Sequence, residues 1–161
     1  MVNAKKYKNT ILYFCEKLGG KVEGKKKLAK LLYFADFDMF EYKESMKTIT
    51  GDFYIAEKMG PLPNSLNKTI EEMVKSNDLV KNVVKIGEGY ADMEVFETKV
   101  KPDISVFSKD EKFILDRVIG HYGKLNGTQL EKLTHAEAPW NGVDLKDKIP
   151  FELAFYSETS F

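Results

Sequence analysis

The sequence has very few of the residues that form cross-links and metal sites. Cys15 is its one cysteine, so the chain cannot form an internal disulfide, and this fits a reducing compartment. His121 and His135 are its two histidines, and no metal-ligand spacing recurs around them. The glycines do not form a phosphate-binding loop either. We therefore expect no metal and no cofactor.

Long apolar runs and an excess of charge are also missing. No stretch approaches the roughly 20 apolar residues that span a bilayer, and lysines interrupt the N-terminus where a signal peptide would carry its apolar core. The 25 basic and 25 acidic residues give a formal net charge of +0, so the whole molecule is not drawn to a membrane or to nucleic acid. We expect a cytoplasmic protein without a membrane partner.

Arginine is scarce, and this bears on nucleic-acid recognition. Arg117 is the only arginine, although arginine is the usual bidentate reader of guanine and phosphate. Residues 1–30 nevertheless carry nine lysines against two glutamates, a local charge of +7. A DNA-binding transcriptional regulator therefore stays open as an alternative function, with nucleic acid as a secondary partner.

The rest of the composition favours one folded domain over residues 1–161. Hydrophobic residues make up 43% of the chain and charged residues 31%, which suffices for a core and a solvated surface. We expect a mostly helical α+β single domain with a small antiparallel β-sheet or hairpin. Apolar spacing, helix caps and glycine stops predict helices over residues 4–18, 25–42, 65–75, 108–123 and 126–133, and a last one from residue 150.

Three other segments predict strands and a loop. Residues 79–86 and 90–100 flank Gly87-Glu88-Gly89, which is a hairpin signal. Residues 53–58 predict a short strand that ends at Gly60-Pro61-Leu62-Pro63, because proline cannot donate to a β-ladder. Residues 135–142 predict a loop.

His135 is the side chain that suits general-base chemistry. Asp36, Asp52 or Glu137 would have to orient it, and these carboxylates are spread along the chain. The other interpretation is that His135 makes structural hydrogen bonds in the loop before Trp140. A hydrolase that uses His135 is therefore a second alternative function.

The segment from residue 54 to residue 63 suits protein docking. A strand followed by Gly-Pro-Leu-Pro presents rigid, partly apolar backbone, and a rigid surface loses little entropy on binding. The alternative is a tight connection that only orients the next helix. Trp140 is the only tryptophan, and it is either an interface anchor or a core residue.

Three stretches together resemble one protein family. They are Lys30-Leu31-Leu32-Tyr33-Phe34-Ala35-Asp36, then Ile49-Thr50-Gly51-Asp52-Phe53-Tyr54-Ile55-Ala56 running on to Gly60-Pro61-Leu62-Pro63, and finally Leu130-Glu131-Lys132-Leu133-Thr134-His135 followed by Ala138-Pro139-Trp140. Their order and separation resemble the Panacea domain, the SocA-like antitoxin family long labelled phage-associated. The resemblance covers nearly the whole chain.

The resemblance implies a role that composition and spacing do not. Members of this family are antitoxins encoded beside unrelated toxins, which they neutralise by direct binding, and one member delivers its toxin to a Clp-type protease. The resemblance therefore implies a cognate protein toxin as partner, a Clp-type protease as a second candidate partner, and no enzymatic activity.

The matching and neighbouring positions give two groups of expected site residues. Partner contacts are expected from Tyr33, Asp36, Tyr54, Lys58, Met59, Pro61, Pro63, His135 and Trp140. Structural roles are expected from Thr50, Gly51, Asp52, Gly60 and Thr134. The glycines suit turns because glycine adopts backbone conformations that other residues avoid.

Overall fold

Residues 1–157, which the computed structural model describes, form a helix-dominated α+β fold with two small antiparallel sheets. The helices are α1 (Ala4–Lys17), α2 (Lys25–Glu41), α3 (Leu66–Lys75), α4 (Lys109–Tyr122), α5 (Gly127–His135) and α6 (Ala138–Asn141). The strands are β1 (Lys21–Glu23), β2 (Tyr54–Glu57), β3 (Gly60–Pro63), β4 (Val80–Val84) and β5 (Met93–Glu97). Short 3₁₀ segments occupy Tyr42–Glu44, Ile104–Val106 and Phe151–Tyr156. The predicted fold class is confirmed.

Helix α2 lies at the centre of the fold. Every residue from Leu28 to Phe40 is buried, because the helix is apolar on nearly all sides rather than along one stripe. It packs against α4, α5, β3, β1 and the 3₁₀ segment Phe151–Tyr156. The other elements are therefore positioned relative to α2.

The predicted hairpin of residues 79–100 is confirmed as β4 and β5. Val80 pairs with Glu97 and Val84 pairs with Met93. Strand β1 adds to the other edge of β5, so the sheet order is β1-β5-β4. The sequence analysis did not predict β1, since a strand of three residues is too short to show an alternating pattern.

The strand predicted over residues 53–58 is β2, which ends before Gly60, but Gly-Pro-Leu-Pro is not only its stop, because these four residues form strand β3. It pairs with β2 in antiparallel register, with Ala56 opposite Pro61. The Pro61 carbonyl accepts a hydrogen bond from Lys30 Nζ at 3.1 Å, so this residue directs its backbone polar groups away from β2. Alternate residues of a strand share that direction, so Pro63 also faces outward. Neither proline removes a donor from the β2–β3 ladder.

The starts of α4 and α5 have the predicted caps, whereas the segments that follow α5 differ from prediction. Ser108 with Glu111 and Asn126 with Gln129 both form capping boxes. The predicted loop of residues 135–142 instead contains α6, where Pro139 suits the first helical turn. The predicted last helix is the 3₁₀ segment Phe151–Tyr156.

Asp36, buried on α2, holds the turn that precedes β2. Its Oδ1 accepts hydrogen bonds from the backbone N–H groups of Ile49 at 2.8 Å and Thr50 at 2.9 Å. Its Oδ2 accepts from Thr50 Oγ1 at 2.5 Å and from the Tyr54 hydroxyl at 2.7 Å. Burial raises the pKa of Asp36 to about 6, and these hydrogen bonds oppose the rise. Because all four partners donate to it, the carboxylate serves as an acceptor.

Asp52 extends this network toward the N-terminus. Its Oδ2 accepts hydrogen bonds from the Tyr7 hydroxyl at 2.9 Å and from the Ser65 N–H at 2.8 Å, which joins α1 to the start of α3. Gly51 lies between the two acidic networks with φ +73°, and a Cβ at this position would collide with the backbone of Met1. The turn therefore requires glycine.

None of the helices formed by residues 1–157 has both the length and the apolar character that a membrane-spanning helix needs. The assignment of residues 1–161 to one domain stays a prediction, and residues 158–161 of that range lie outside the described residues.

Removing the Asp36 carboxylate tests how far the fold depends on it. We expect Asp36→Ala to lower the free energy of unfolding by at least about 3 kcal/mol, because two buried backbone N–H groups and two hydroxyls lose their acceptor. Tyr54→Phe removes one of these four hydrogen bonds and should cost only about 1–2 kcal/mol. Urea unfolding of both variants measures the two losses in free energy of unfolding. Equal losses would contradict the assignment of four stabilising hydrogen bonds to the Asp36 carboxylate.

Candidate partner-binding groove

Five of the nine residues predicted to contact a partner lie in the interior. Tyr33, Asp36 and Tyr54 are at most 1% exposed, and Pro61 and Pro63 are also buried. In the free protein these five side chains are therefore covered, and their roles as partner contacts stay a prediction. For Tyr33 and Asp36 the missed signal is that α2 is apolar on nearly all sides, so that residues on every face of it are covered.

The turn between β2 and β3 is the part of the predicted docking segment that is exposed. Lys58 and Met59 form this turn, and Met59 is 59% exposed. His135 and Trp140 are half-buried, and their rings stack with centroids 3.9 Å apart. The Trp140 ring packs against the core cluster, in agreement with the core role predicted for it, while its role as an interface anchor stays a prediction.

The β2–β3 hairpin is held from two sides. On the side of α2, Lys30 donates to the Pro61 carbonyl, and a Cβ on Gly60 would lie 2.6 Å from Lys30 Cε and 2.7 Å from Thr134 Oγ1. On the side of α6, Trp140 Nε1 donates to the Glu57 carbonyl at 2.8 Å. Gly60 and Thr134 therefore let the hairpin approach α2 and α5 closely.

The remaining edge of the hairpin is covered by the C-terminal segment. The Ala56 N–H donates to the Asp147 carbonyl at 2.9 Å, and the Lys146 N–H donates to the Ala56 carbonyl at 2.7 Å. Since β2 is paired on both edges, a partner cannot add a strand to it. The hairpin instead acts as a rigid support for its exposed turn.

Met59 lines a groove of about 750 Å³ that runs between the two hairpins and over the start of α2. We call this the hairpin groove. Its apolar lining residues are Met59, Ile86, Tyr90, Ala91, Met93, Leu18 and Leu125. Its charged lining residues are Lys21, Lys25, Lys26, Lys27, Lys124, Glu23, Asp92 and Glu94. Ile86 is 54% exposed and Tyr90 is 72% exposed. Sequence reasoning singled out only Met59 of these residues as a partner contact, because the two hairpin tips are far apart in the chain.

The lysines at the start of α2 have specific partners. Cations are unfavourable at a helix N-terminus, but Lys26 lies 3.1 Å from Glu131 and Lys27 donates to the Gly123 carbonyl at 2.6 Å. Lys25 and Lys124 make no ion pair or side-chain hydrogen bond within residues 1–157. The groove therefore retains two lysines that are free to pair with a ligand.

The basic N-terminal segment is largely compensated inside the protein. Lys6 pairs with Glu111 at 2.8 Å, and Lys8 pairs with Asp78 at 2.7 Å. Together with the bonds of Lys21, Lys26, Lys27 and Lys30, six of the nine lysines in residues 1–30 have an internal acceptor. The local charge of +7 therefore does not form a continuous free cationic face.

Two of the three carboxylates proposed to orient His135 serve other parts of the fold, and the third, Glu137, is buried near Asp38 and Glu41. Asp36 and Asp52 are bound to donors elsewhere, and His135 Nε2 is buried without a hydrogen-bond partner among the described residues. Stacking against Trp140, rather than the predicted hydrogen bonding, orients the His135 ring. Cys15 is fully buried, and burial raises the pKa of its thiol to about 12.

A buried polar cluster surrounds the only arginine. Arg117 Nη1 lies 3.5 Å from Asp38 Oδ2. Burial raises the pKa of Asp38 to about 7; Arg117 opposes this rise, while Glu41 and Glu137 reinforce it. The cluster joins α2 to α4 through the Arg117–Asp38 contact, and its residues are not among those that line the groove. Within residues 1–157, no three His, Cys, Asp or Glu side chains are arranged so that they could hold a metal ion.

Comparison with known proteins gives one family. The family described as antitoxin SocA-like, Panacea domain, matches residues 28–141, which is more than half of the chain. The match runs from the first turn of α2 to the end of α6 and includes the Asp36 network and both hairpins. No curated protein and no solved structure matches the chain significantly.

The raised pKa of Asp38 generates a prediction about pH. A carboxyl group that binds its proton more tightly in the folded state stabilises the fold less as pH rises from its unfolded pKa, near 4, to its folded pKa, near 7. We therefore expect a higher melting temperature at about pH 5 than at about pH 8, and Asp38→Asn should reduce this dependence, leaving the part that comes from the raised pKa of Asp36. Asp144→Asn, at an exposed position, is the control. If both variants keep the pH profile of the wild type, Asp38 is not its source.

Proposed function

The chain belongs to the antitoxin SocA-like, Panacea domain family, and we propose that it neutralises a cognate protein toxin by binding it directly in the hairpin groove. This is the family that the three sequence stretches predicted. The toxin is encoded near the gene of this protein, and the complex forms in the cytoplasm.

The observation that carries the proposal is the exposed apolar lining of the groove. Met59, Ile86 and Tyr90 are all more than half exposed, and they line one cavity from two separate hairpins. Tyrosine and methionine are enriched at protein interfaces, and large side chains in a concave site are typical anchors of binding energy. A cavity of this kind would bury side chains of a partner on several sides.

The rigidity of the β2–β3 hairpin supports the same proposal. Its turn is held by α2, α6 and the C-terminal segment, so Met59 is presented without a large ordering cost on binding. The interior residues of the family motif contribute by fixing this support. In this proposal the motif maintains the binding surface while the groove residues make the contacts.

Binding, rather than catalysis, is the proposed mode of action. Asp36 and Asp52 are committed to structural hydrogen bonds, and His135 is stacked against Trp140. A DNA-binding role receives less support, because most N-terminal lysines have internal acceptors. The proposal includes delivery of the bound toxin to a Clp-type protease. This step rests on family membership alone.

A co-expression experiment with matched variants tests the proposal. The products of the two flanking genes are induced separately, with and without this protein, and growth and co-purification are measured. We expect one product to stop growth and this protein to restore growth while binding it. Met59→Ser combined with Tyr90→Ser should weaken that complex at least about tenfold, because both anchors of the groove are lost.

The matched control is Met46→Ser combined with Tyr156→Ser. These side chains are 55% and 75% exposed, close to the values for Met59 and Tyr90, and they lie near the other end of α2. We expect this control to bind like the wild type. Equal loss in both double variants, or no toxic flanking product, would contradict the proposal.

A further inference from the structure

We propose that the hairpin groove is built for an acidic segment of its protein partner, anchored by a large apolar side chain. The inference rests on the proposed function for the identity of that partner, but its chemistry comes from the groove alone. The apolar anchor packs among Met59, Ile86 and Tyr90, and the acidic side chains lie along the start of α2.

The first argument is charge complementarity. Five lysines and three acidic residues line the groove, so the lining has an excess of positive charge. The start of α2 and the turn before α5 contribute Lys25, Lys26, Lys27 and Lys124, which form a wall of lysines. Glu23, just before this wall in β1, already pairs with Lys21 at 3.3 Å. Asp92 and Glu94 belong to the second hairpin. A basic segment would bring its cations against the lysine wall, whereas an acidic segment pairs with it.

The two free lysines of this wall favour binding of an acidic ligand. Lys26 and Lys27 are already bonded to Glu131 and to the Gly123 carbonyl, while Lys25 and Lys124 have no partner within residues 1–157. Ion pairs to these two lysines would form on binding without breaking a contact of the free protein. They also lie on different elements, which favours a ligand that extends across the groove rather than a single small anion.

The start of α2 adds to the same preference. This helix has 17 residues, no side-chain cap and no acidic residue in its first turn. Its N-terminal residue is preceded by Gly24 at φ +108°, which supplies no side chain. A carboxylate from the partner would complement the helix dipole and accept from the first-turn N–H groups. The wall of lysines and the helix start therefore favour the same ligand chemistry.

The apolar part of the groove requires a large apolar side chain in the ligand. Met59 and Ile86 approach the cavity from the two hairpin tips, with Tyr90 beside Ile86. Their exposed area would be covered by a large aliphatic or aromatic side chain, which contributes affinity through apolar burial. A purely acidic peptide lacks this anchor and should bind more weakly than an acidic peptide that carries one.

Peptide selection on the full chain tests the inference even before the toxin is identified. The immobilised protein selects from a display library of short random peptides, and the affinity of the enriched peptides is measured by fluorescence polarisation. We expect enrichment of Asp and Glu next to a large apolar residue. Lys25→Glu combined with Lys124→Glu should weaken these peptides at least about tenfold, and added salt should reduce the difference between this variant and the wild type.

The control is Lys99→Glu combined with Lys101→Glu, which changes the net charge equally at exposed positions outside the groove. We expect it to bind the peptides within about twofold of the wild type. The inference is overturned if no peptide is enriched, if the enriched peptides are not acidic, or if both double variants bind alike. Competition by DNA, or a dimer that the groove variant dissociates, would assign the groove to nucleic acid or to a second copy instead.

The same variants separate this inference from the proposed function. If the charge-reversed variant still neutralises a flanking toxin with unchanged affinity, the antitoxin proposal stands and the acidic-segment inference fails. If the peptides behave as expected but no flanking product is toxic or bound, the ligand chemistry stands and the proposed biological role fails.

Discussion

The Asp36 carboxylate is the interaction on which the rest of the structure depends. It lies on the buried helix α2 and accepts four hydrogen bonds from the turn before β2 and from Tyr54. This fixes where β2 begins, β2 sets the register of β3, and Lys30 on the same helix binds the outer face of β3. One buried charge therefore positions a hairpin whose exposed turn lies well away from it. An ionised group is retained in the interior because all of its donors are supplied locally.

This arrangement separates the interior residues of the three sequence stretches from the residues that we propose face a partner. Asp36, Thr50 and Tyr54 are interior, and their role is to hold α2, the turn and the hairpin together. The groove is lined by Met59, by the second hairpin and by lysines of α2, which the buried network supports but does not include. A partner-binding surface of this kind can vary in side chains without altering the network beneath it.

Much of the fold could be predicted from the sequence because its signals are local. The Ser108 and Asn126 caps set helix starts through neighbouring residues, and Gly87-Glu88-Gly89 indicated its hairpin directly. The proline rule failed at β3 because it applies only where the imide nitrogen faces the neighbouring strand, and that direction depends on tertiary pairing. The groove could not be predicted for a similar reason. Met59, Tyr90 and Lys124 come together only through the packing of separate elements around α2.

Hydrogen exchange of the free protein and of its toxin complex tests the central claim most directly, since it maps contact without any substitution. The account predicts slower amide exchange in the complex at the turn of Lys58 and Met59, around residues 86–90 and in the turn before α5. Amides of the Asp36 network should be slow in both states, because they are bonded and buried before binding. Protection confined to surfaces outside the hairpin groove, with no change at these three segments, would contradict the account.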